Sequence, residues 1–319
     1  MDTMMALRAH TRGGPEQLVY EQAPRPEPAE GEALIAVHAT GITLTELDWD
    51  ESWTTSDGKD RTPVIPAHEP SGTVVAVGAG VSDLAIGDEV YGLVDFDRDG
   101  AAAEFTTVPA SALAAKPRTV SHAEAAALPL AALTAWQALV DHAGLRAGET
   151  VLVHGAAGGV GVYATQLAAA LGARVIGTGR PRHAEIVRQL GADRFIDLTA
   201  EQFDEVLSGV DVVLDAVGGD ALRRSFAVLK PGGRLISVAA TPDQALAEAH
   251  QVRAAYFIVR PDRTELTRLA EMVDSGRLRP VVGRTVPLAE GRSAYVGTGK
   301  PSKPGKIVLI VRPDGTDQA

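Results

Sequence analysis

The stretch TVLVHGAAGGVGVYATQLAAALG, residues 150–172, limits what this chain can fold into more than any other. An apolar segment of strand character (150–154) runs into a turn of small residues, and a helical segment (159–172) leaves it. A glycine cluster carries meaning only in that setting, between a strand and a helix. Ala156, Gly158 and Gly161 take up the G-x-G-x-x-G spacing, with Ala for the first Gly. The candidate loop comprises Gly155, Ala156, Ala157, Gly158, Gly159, Val160 and Gly161. Small side chains let the backbone turn tightly and approach a pyrophosphate, and the helix N-terminus adds N–H groups and a positive dipole end. A glycine turn without ligand is the bland alternative; the strand and helix on either side argue against it.

The next strand segment, ARVIGTG (173–179), ends about 20 residues past the loop, where a side chain reaches the adenosine ribose. An acid there would bond the 2′-hydroxyl and repel a 2′-phosphate. No acid stands between Gly177 and Ala184; the strand ends at Thr178 and Gly179, and Arg180 and Arg182 follow. Guanidinium forks suit phosphate oxygens. The expected cofactor is therefore NADPH, with Arg180 ahead of Arg182, unless both arginines only flank a surface proline.

The rest of the chain is read around this unit. Short apolar runs punctuated by glycine and proline (32–42, 71–81, 87–93, 102–113) predict a small, mostly antiparallel barrel. Ser121 and Glu124 form a capping-box signal. Beyond it strands alternate with helices through residue 239, the pattern of a doubly wound parallel sheet. The plan is a barrel-like domain (1–122 and 256–319) interrupted by a nucleotide-binding domain (123–255).

Composition closes off several classes. A net charge of −11 supplies no basic face for nucleic acid. No apolar run approaches the roughly 20 residues of a membrane span, and the N-terminus lacks the apolar core of a signal peptide, so a cytoplasmic location is expected. There is no cysteine, which removes disulfides, thiolate nucleophiles and every cysteine-ligated zinc site.

In order along nearly the whole chain, GITLTELDWDESW, IPAHEPSGTVVAVGAGV, GDEVYGL, LTAWQAL, VHGAAGGVG, LDAVGG, LRPVVG and GKIVL resemble the zinc-independent quinone oxidoreductase branch of the medium-chain dehydrogenase/reductase superfamily. The resemblance implies a GroES-like mostly-β barrel catalytic domain plus a Rossmann doubly wound parallel-sheet domain, an α/β protein with its active site in the cleft between them. It also implies NADPH and a homodimer. Carried over residue by residue, it puts Thr134 near the nicotinamide, Val217 and Gly218 beside the cofactor, Ala239, Phe257 and Val259 at the nicotinamide pocket, and Lys306 close by. Plain strand core is the alternative for Phe257 and Val259, and Lys300 and Lys303 read as a solvated loop.

The metal-using members carry a cysteine where this chain has Thr43, followed by the His-Glu pair that survives here as His68 and Glu69. Catalytic zinc wants three firm ligands, so no metal is expected and His68 reads as a satisfied or pocket-lining histidine. Without zinc to stabilise an alkoxide, the easier task is to reduce a substrate that already accepts hydride, such as a quinone or an α,β-unsaturated carbonyl. Such an oxygen needs a hydrogen-bond donor; Thr43 is the first candidate and His68 the second. Trp49 and Trp53, spaced i, i+4 in the unfamiliar stretch 47–66, either line the substrate pocket or plug the loop onto the barrel. Asp97 and Asp99 read as loop charges. A zinc-independent carbonyl or alcohol dehydrogenase, and a non-catalytic NADPH-binding sensor or interaction protein, are the competing functions.

Overall fold

From residue 150 onward, short apolar strands are separated by helices long enough to cross back over a sheet, and that spacing produces parallel pairing. In a computed structural model, which describes residues 2–296 and 303–313, six strands form one parallel sheet. Their order is Arg194–Asp197, Arg174–Gly179, Thr150–His154, Val210–Asp215, Leu229–Ser237, Arg253–Tyr256. Numbered by sequence this is 3-2-1-4-5-6, and the order reverses between Thr150–His154 and Val210–Asp215, where such sheets bind dinucleotides. Leu152, Ile176, Val213, Phe226 and Leu235 fill its core.

The β-rich part forms a seven-stranded sheet around the long strand Glu32–Ile42, which pairs antiparallel with Glu69–Val77, Phe105–Pro109 and Lys306–Ile310. The last of these lies parallel to Val282–Pro287. A separate hairpin, Thr3–Ala9 with Leu18–Pro24, packs Leu7 and Leu18 into a core shared with Ile42, Leu47, Trp53 and Leu309. Among the described residues no helix is long and apolar enough to cross a membrane.

The chain divides into two compact units, Met1–Leu130 with Arg260–Ala319, and Ala131–Val259. These division points, 130/131 and 259/260, differ from the 122/123 and 255/256 read from the sequence. The helix after the glycine loop is also shorter than read. It runs Gly161–Ala170, because residues 155–160 are spent on the turn, closed by the Gly158 N–H on the Gly155 carbonyl at 2.8 Å.

Candidate active site

The glycine loop is built for close backbone approach. Gly155 sits at φ +71°, a left-handed conformation that side chains rarely adopt. A Cβ on Gly161 would lie 2.1 Å from the Gly155 carbonyl oxygen and 2.7 Å from Ala156 Cα, both backbone atoms that have no room to give. The loop curls against the start of the helix only because that position is bare. Ala156 and Ala157 are buried, while Gly158 is exposed and Gly159 and Val160 are half-exposed, so the outer face of the turn is free of bulky side chains. These features fit a pyrophosphate resting on the first turn of the helix.

Beneath the loop, His154 is fully buried, with its ring nitrogens 3.0 Å from Thr178 Oγ1 and 2.9 Å from Ser225 Oγ. Burial lowers its pKa to about 4, so the ring is neutral at physiological pH. Thr178, expected at the cofactor, is wholly buried and its hydroxyl faces His154. Its side chain therefore supports the loop from below and does not present itself to a ligand. On the other side of the switch point, buried Asp215 accepts from the N–H groups of Val217 and Gly218 and from Ser237 Oγ. Ser237 Oγ in turn accepts from Ala239 N and Ala240 N at 3.2 Å. This network ties two strand ends into one rim, holding Gly218 buried with Val217 and Ala239 exposed beside it. A Cβ on Gly155 would come within 3.0 Å of Val217 Cγ2, so rim and glycine loop adjoin.

Strand Arg174–Gly179 ends at half-exposed Gly179 and delivers Arg180 to the surface at the head of the turn Pro181–His183. Among the described residues the Arg180 guanidinium has no ion-pair partner. The Arg182 side chain is also exposed and donates to the His183 ring at 3.1 Å. Of the residues expected at the nicotinamide end, Thr134 and Val259 are buried and Phe257 is half-buried, its ring 4.2 Å from that of His142.

Thr43 lies at the edge of a buried polar cluster in the first unit. Lys306 Nζ donates to Thr43 Oγ1 at 3.2 Å and is ion-paired with Glu69 Oε1, although that pair is not aligned as a hydrogen bond. Both charged side chains are more than nine-tenths buried. Glu69 Oε2 accepts from the Leu130 N–H at 2.9 Å. The Thr43 N–H reaches Glu46 Oε1 at 3.2 Å, and the same carboxyl accepts from the Tyr295 hydroxyl (2.7 Å) and the Ala67 N–H (3.0 Å). Complete burial raises Glu46 to about pKa 7, against the pull of these hydrogen bonds and of Lys306. The Tyr295 hydroxyl is driven well above its ordinary range by burial and then by Glu46. Thr43 itself is half-buried, whereas Glu46, Glu69 and Lys306 are buried.

Glu46 and Tyr295 were missed in the sequence. Thr43-x-x-Glu46 does carry the spacing by which a glutamate folds back onto a preceding N–H, and that is the contact seen. Nothing local points to Tyr295.

His68 is 3% exposed and its pKa is lowered to about 3, chiefly by burial and then by Arg61. It is a neutral ring packed edge-on against Phe96, so it holds no proton to give as an imidazolium. The tryptophans do not share a helical face. Trp49 stands extended (φ −77°, ψ 138°) between the turns Glu46–Asp48 and Asp50–Ser52, half-buried with its ring edge-on to Phe96. Trp53 is 2% exposed, and its Nε1–H donates to the Leu47 carbonyl at 2.9 Å. Trp53 is thus the plug of the loop and not a substrate-pocket residue. Arg61 reinforces it by donating to the carbonyls of Glu51, Ser52 and Phe96. Asp99 is likewise no free loop charge: it accepts from Ile65 N–H, and burial raises its pKa. Lys303 is exposed; Lys300 lies outside the described residues.

Residues 29–118 match the alcohol dehydrogenase GroES-like domain, and residues 190–309 match the zinc-binding dehydrogenase family. The chain is 34% identical over 313 residues to a "Probable zinc-binding oxidoreductase, mitochondrial" of Arthroderma benhamiae, covering 92% of this chain and 93% of that one. It is 35% identical over 265 residues to an "NADPH-dependent alkenal/one oxidoreductase, chloroplastic" of Arabidopsis thaliana, covering 79% and 65%. Some relatives are far longer: the chain spans 5% of polyketide synthase GfsB of Streptomyces halstedii. Among solved structures, the quinone oxidoreductase from Coxiella burnetii superposes with a TM-score of 0.89 at 31% identity, covering 98% of this chain and 100% of that one. The fold is therefore a GroES-like domain joined to a Rossmann-type parallel-sheet domain, and its class is that of nicotinamide-dependent oxidoreductases. The chain belongs to the medium-chain dehydrogenase/reductase superfamily.

Two of these names carry zinc, and the described residues do not fit it. Among the described residues no group of three His, Cys, Asp or Glu is placed to hold a metal ion. The Thr43 hydroxyl already accepts from an ammonium, and an ammonium and a zinc ion would compete for the same oxygen.

Proposed function

We propose that this protein reduces quinones or α,β-unsaturated carbonyls with NADPH, by hydride transfer and without zinc. The observation that carries the cofactor choice is the Arg180 guanidinium, without an ion-pair partner among the described residues, at the end of the second strand, where an acid would have favoured NADH. The names of the alkenal/one and quinone oxidoreductase relatives support the substrate class. So does a candidate site in which the Thr43 hydroxyl accepts from the Lys306 ammonium.

Bound NADPH supplies the hydride and its electron pair. The protein's own part begins with the backbone of residues 155–161, which holds the pyrophosphate against the helix N-terminus. Arg180, with Arg182 beside it, pairs with the 2′-phosphate. Val217, Gly218, Ala239, Thr134, Phe257 and Val259 shape the nicotinamide end. The Thr43 hydroxyl donates a hydrogen bond to the substrate oxygen that gains charge as hydride arrives at the conjugated carbon, and water returns the proton.

The test is oxidation of NADPH and NADH, in parallel, by purified protein with 9,10-phenanthrenequinone, a naphthoquinone and a 2-alkenal. Wild type should prefer NADPH, and Arg180→Glu should cut the NADPH/NADH ratio of kcat/KM by roughly 10- to 100-fold, the loss of a charge-assisted hydrogen bond. Equal use of NADH by wild type overturns the cofactor reading. Tight NADPH binding without turnover of any acceptor moves the protein to the sensor or binding class.

A further inference from the structure

The first unit buries a complete lysine–glutamate pair, and such a pair is a poor way to gain stability. Taking both charges out of water costs several kcal/mol per ion, and apolar replacements of the same volume are often as stable. The arrangement of Lys306 suggests what the pair does instead. One face of the ammonium meets Glu69, whose other oxygen is anchored by the Leu130 N–H. A second direction is spent on Thr43 Oγ1 at 3.2 Å. A hydroxyl has one proton to give and two lone pairs to accept with. Because the ammonium takes a lone pair, the Thr43 proton must point elsewhere, and Thr43 is half-buried where Lys306 and Glu69 are buried. The Thr43 backbone is held at the same time through its N–H on Glu46, whose carboxyl is locked by Tyr295 and Ala67. The ammonium therefore contacts both the hydroxyl and the carboxylate, with the positive charge next to the hydroxyl.

We infer that Lys306 is a positioning residue that aims and strengthens the Thr43 hydroxyl as an oxyanion donor, the ammonium supplying next to Thr43 the positive charge that a metal would bring. The inference rests on the reading of the chain as a quinone or enone reductase. The ligand class is a planar organic oxyanion: the enolate formed when hydride reaches the β-carbon of an enone and the C=C electron pair moves toward oxygen, or the corresponding quinol anion. Neither Thr43 nor Lys306 changes protonation in this account; they hold the charge until water supplies the proton. In the interior an ammonium one atom behind a hydroxyl acts at low effective dielectric and polarises the outgoing O–H bond.

The test compares two probes of nearly equal shape, 4-nitrophenolate and 4-nitroanisole, by calorimetric titration of the purified protein, so that no turnover is needed. Wild type is expected to bind the phenolate at least 10-fold more tightly than the ether. Thr43→Val, which leaves the Lys306–Glu69 pair intact, should erase the preference, and Thr43→Ser should restore it. Lys306→Met should erase it as well; because that variant strands a buried carboxylate, Lys306→Met combined with Glu69→Gln serves as the version that keeps its fold. Lys306→Arg should recover part of the preference, an outcome that a purely structural lysine would not produce. Equal binding of the two probes by wild type, or no binding of the phenolate, overturns the inference. So does a preference that survives in the double variant. Quinone and enone turnover by wild type is measured alongside. Turnover without phenolate preference removes the inference and leaves the function standing, and preference without turnover does the reverse.

Discussion

Glu46 makes the stability of the first unit depend on pH in a direction opposite to that of an ordinary paired carboxylate. Its pKa rises from 4.5 to about 7 because burial penalises the anion more than three hydrogen bonds and Lys306 favour it. At about 1.4 kcal/mol for each tenfold, the folded state penalises the carboxylate by roughly 3 kcal/mol. A folded pKa above the unfolded one means that the native protein keeps a proton the unfolded chain has lost. The stabilisation is complete below about pH 4.5, declines as pH rises from there to about 7, and is gone above. Glu46→Gln cannot titrate and so removes this dependence. Its amide can donate to the Tyr295 oxygen while its carbonyl accepts from Ala67 N–H, so it loses only the 3.2 Å contact with the Thr43 N–H. That loss costs about 1 kcal/mol.

The variant should therefore be about 1 kcal/mol less stable than wild type near pH 4.5 and about 2 kcal/mol more stable near pH 8, with a crossover between. Urea unfolding at several pH values, followed by tryptophan fluorescence in a Trp136→Phe background, reports on the first unit, which holds Trp49 and Trp53. Subtracting the two curves cancels every other titrating group. A difference that stays constant from pH 4.5 to 8 would refute the reasoning, since Glu46 would then be ionised, or protonated, in both states throughout.

The glycine loop and the tryptophan plug give sharper steric tests. Gly161→Ala drives a Cβ to 2.1 Å from a carbonyl oxygen, so it should abolish NADPH binding in a fluorescence titration and cost about 1–3 kcal/mol in unfolding. Gly158→Ala, whose nearest contact would be 3.1 Å on an exposed turn, should keep the fold. Trp53→Ala should cost about 3–5 kcal/mol of stability, while Trp53→Phe loses about 1 kcal/mol with the bond to Leu47. If Trp53→Ala left stability untouched and raised only the KM for quinones, the plug assignment would be wrong.

What the sequence made legible was whatever is built from neighbours in the chain. The strand, glycine turn and helix of residues 150–170 are contiguous, so their periodicity and small residues declare them directly. The surface position of Arg180 was legible for a related reason: it follows directly on the strand Arg174–Gly179, whose end the chain pattern marks. The tryptophans failed on the same principle turned around. Their i, i+4 spacing predicts a shared face only if the intervening residues are helical, and Trp49 is extended, so Trp53 turns inward to the core. The Asp99 carboxyl was read as solvated because its partner, the Ile65 N–H, lies in another loop.

The polar cluster is the extreme case, and its illegibility has a physical cause. Thr43 meets Glu46 three residues away, a local spacing, but Tyr295 and Lys306 reach the same point across 249 and 263 residues of chain. They arrive there because Lys306–Ile310 returns to pair antiparallel with Glu32–Ile42, with Ile307 opposite Ile42. That register puts Lys306 beside the strand end from which Thr43 emerges. Phosphate recognition uses consecutive backbone groups and so writes itself into one short motif. The cluster joins a hydroxyl, an ammonium and a carboxylate from Thr43, Lys306 and Glu69, and no short segment of the chain supplies all three. The sheet does so by bringing distant strand ends together. Lys306 accordingly read as a neighbour of the cofactor when only its motif was visible, whereas in the folded chain its partners are Thr43 and Glu69.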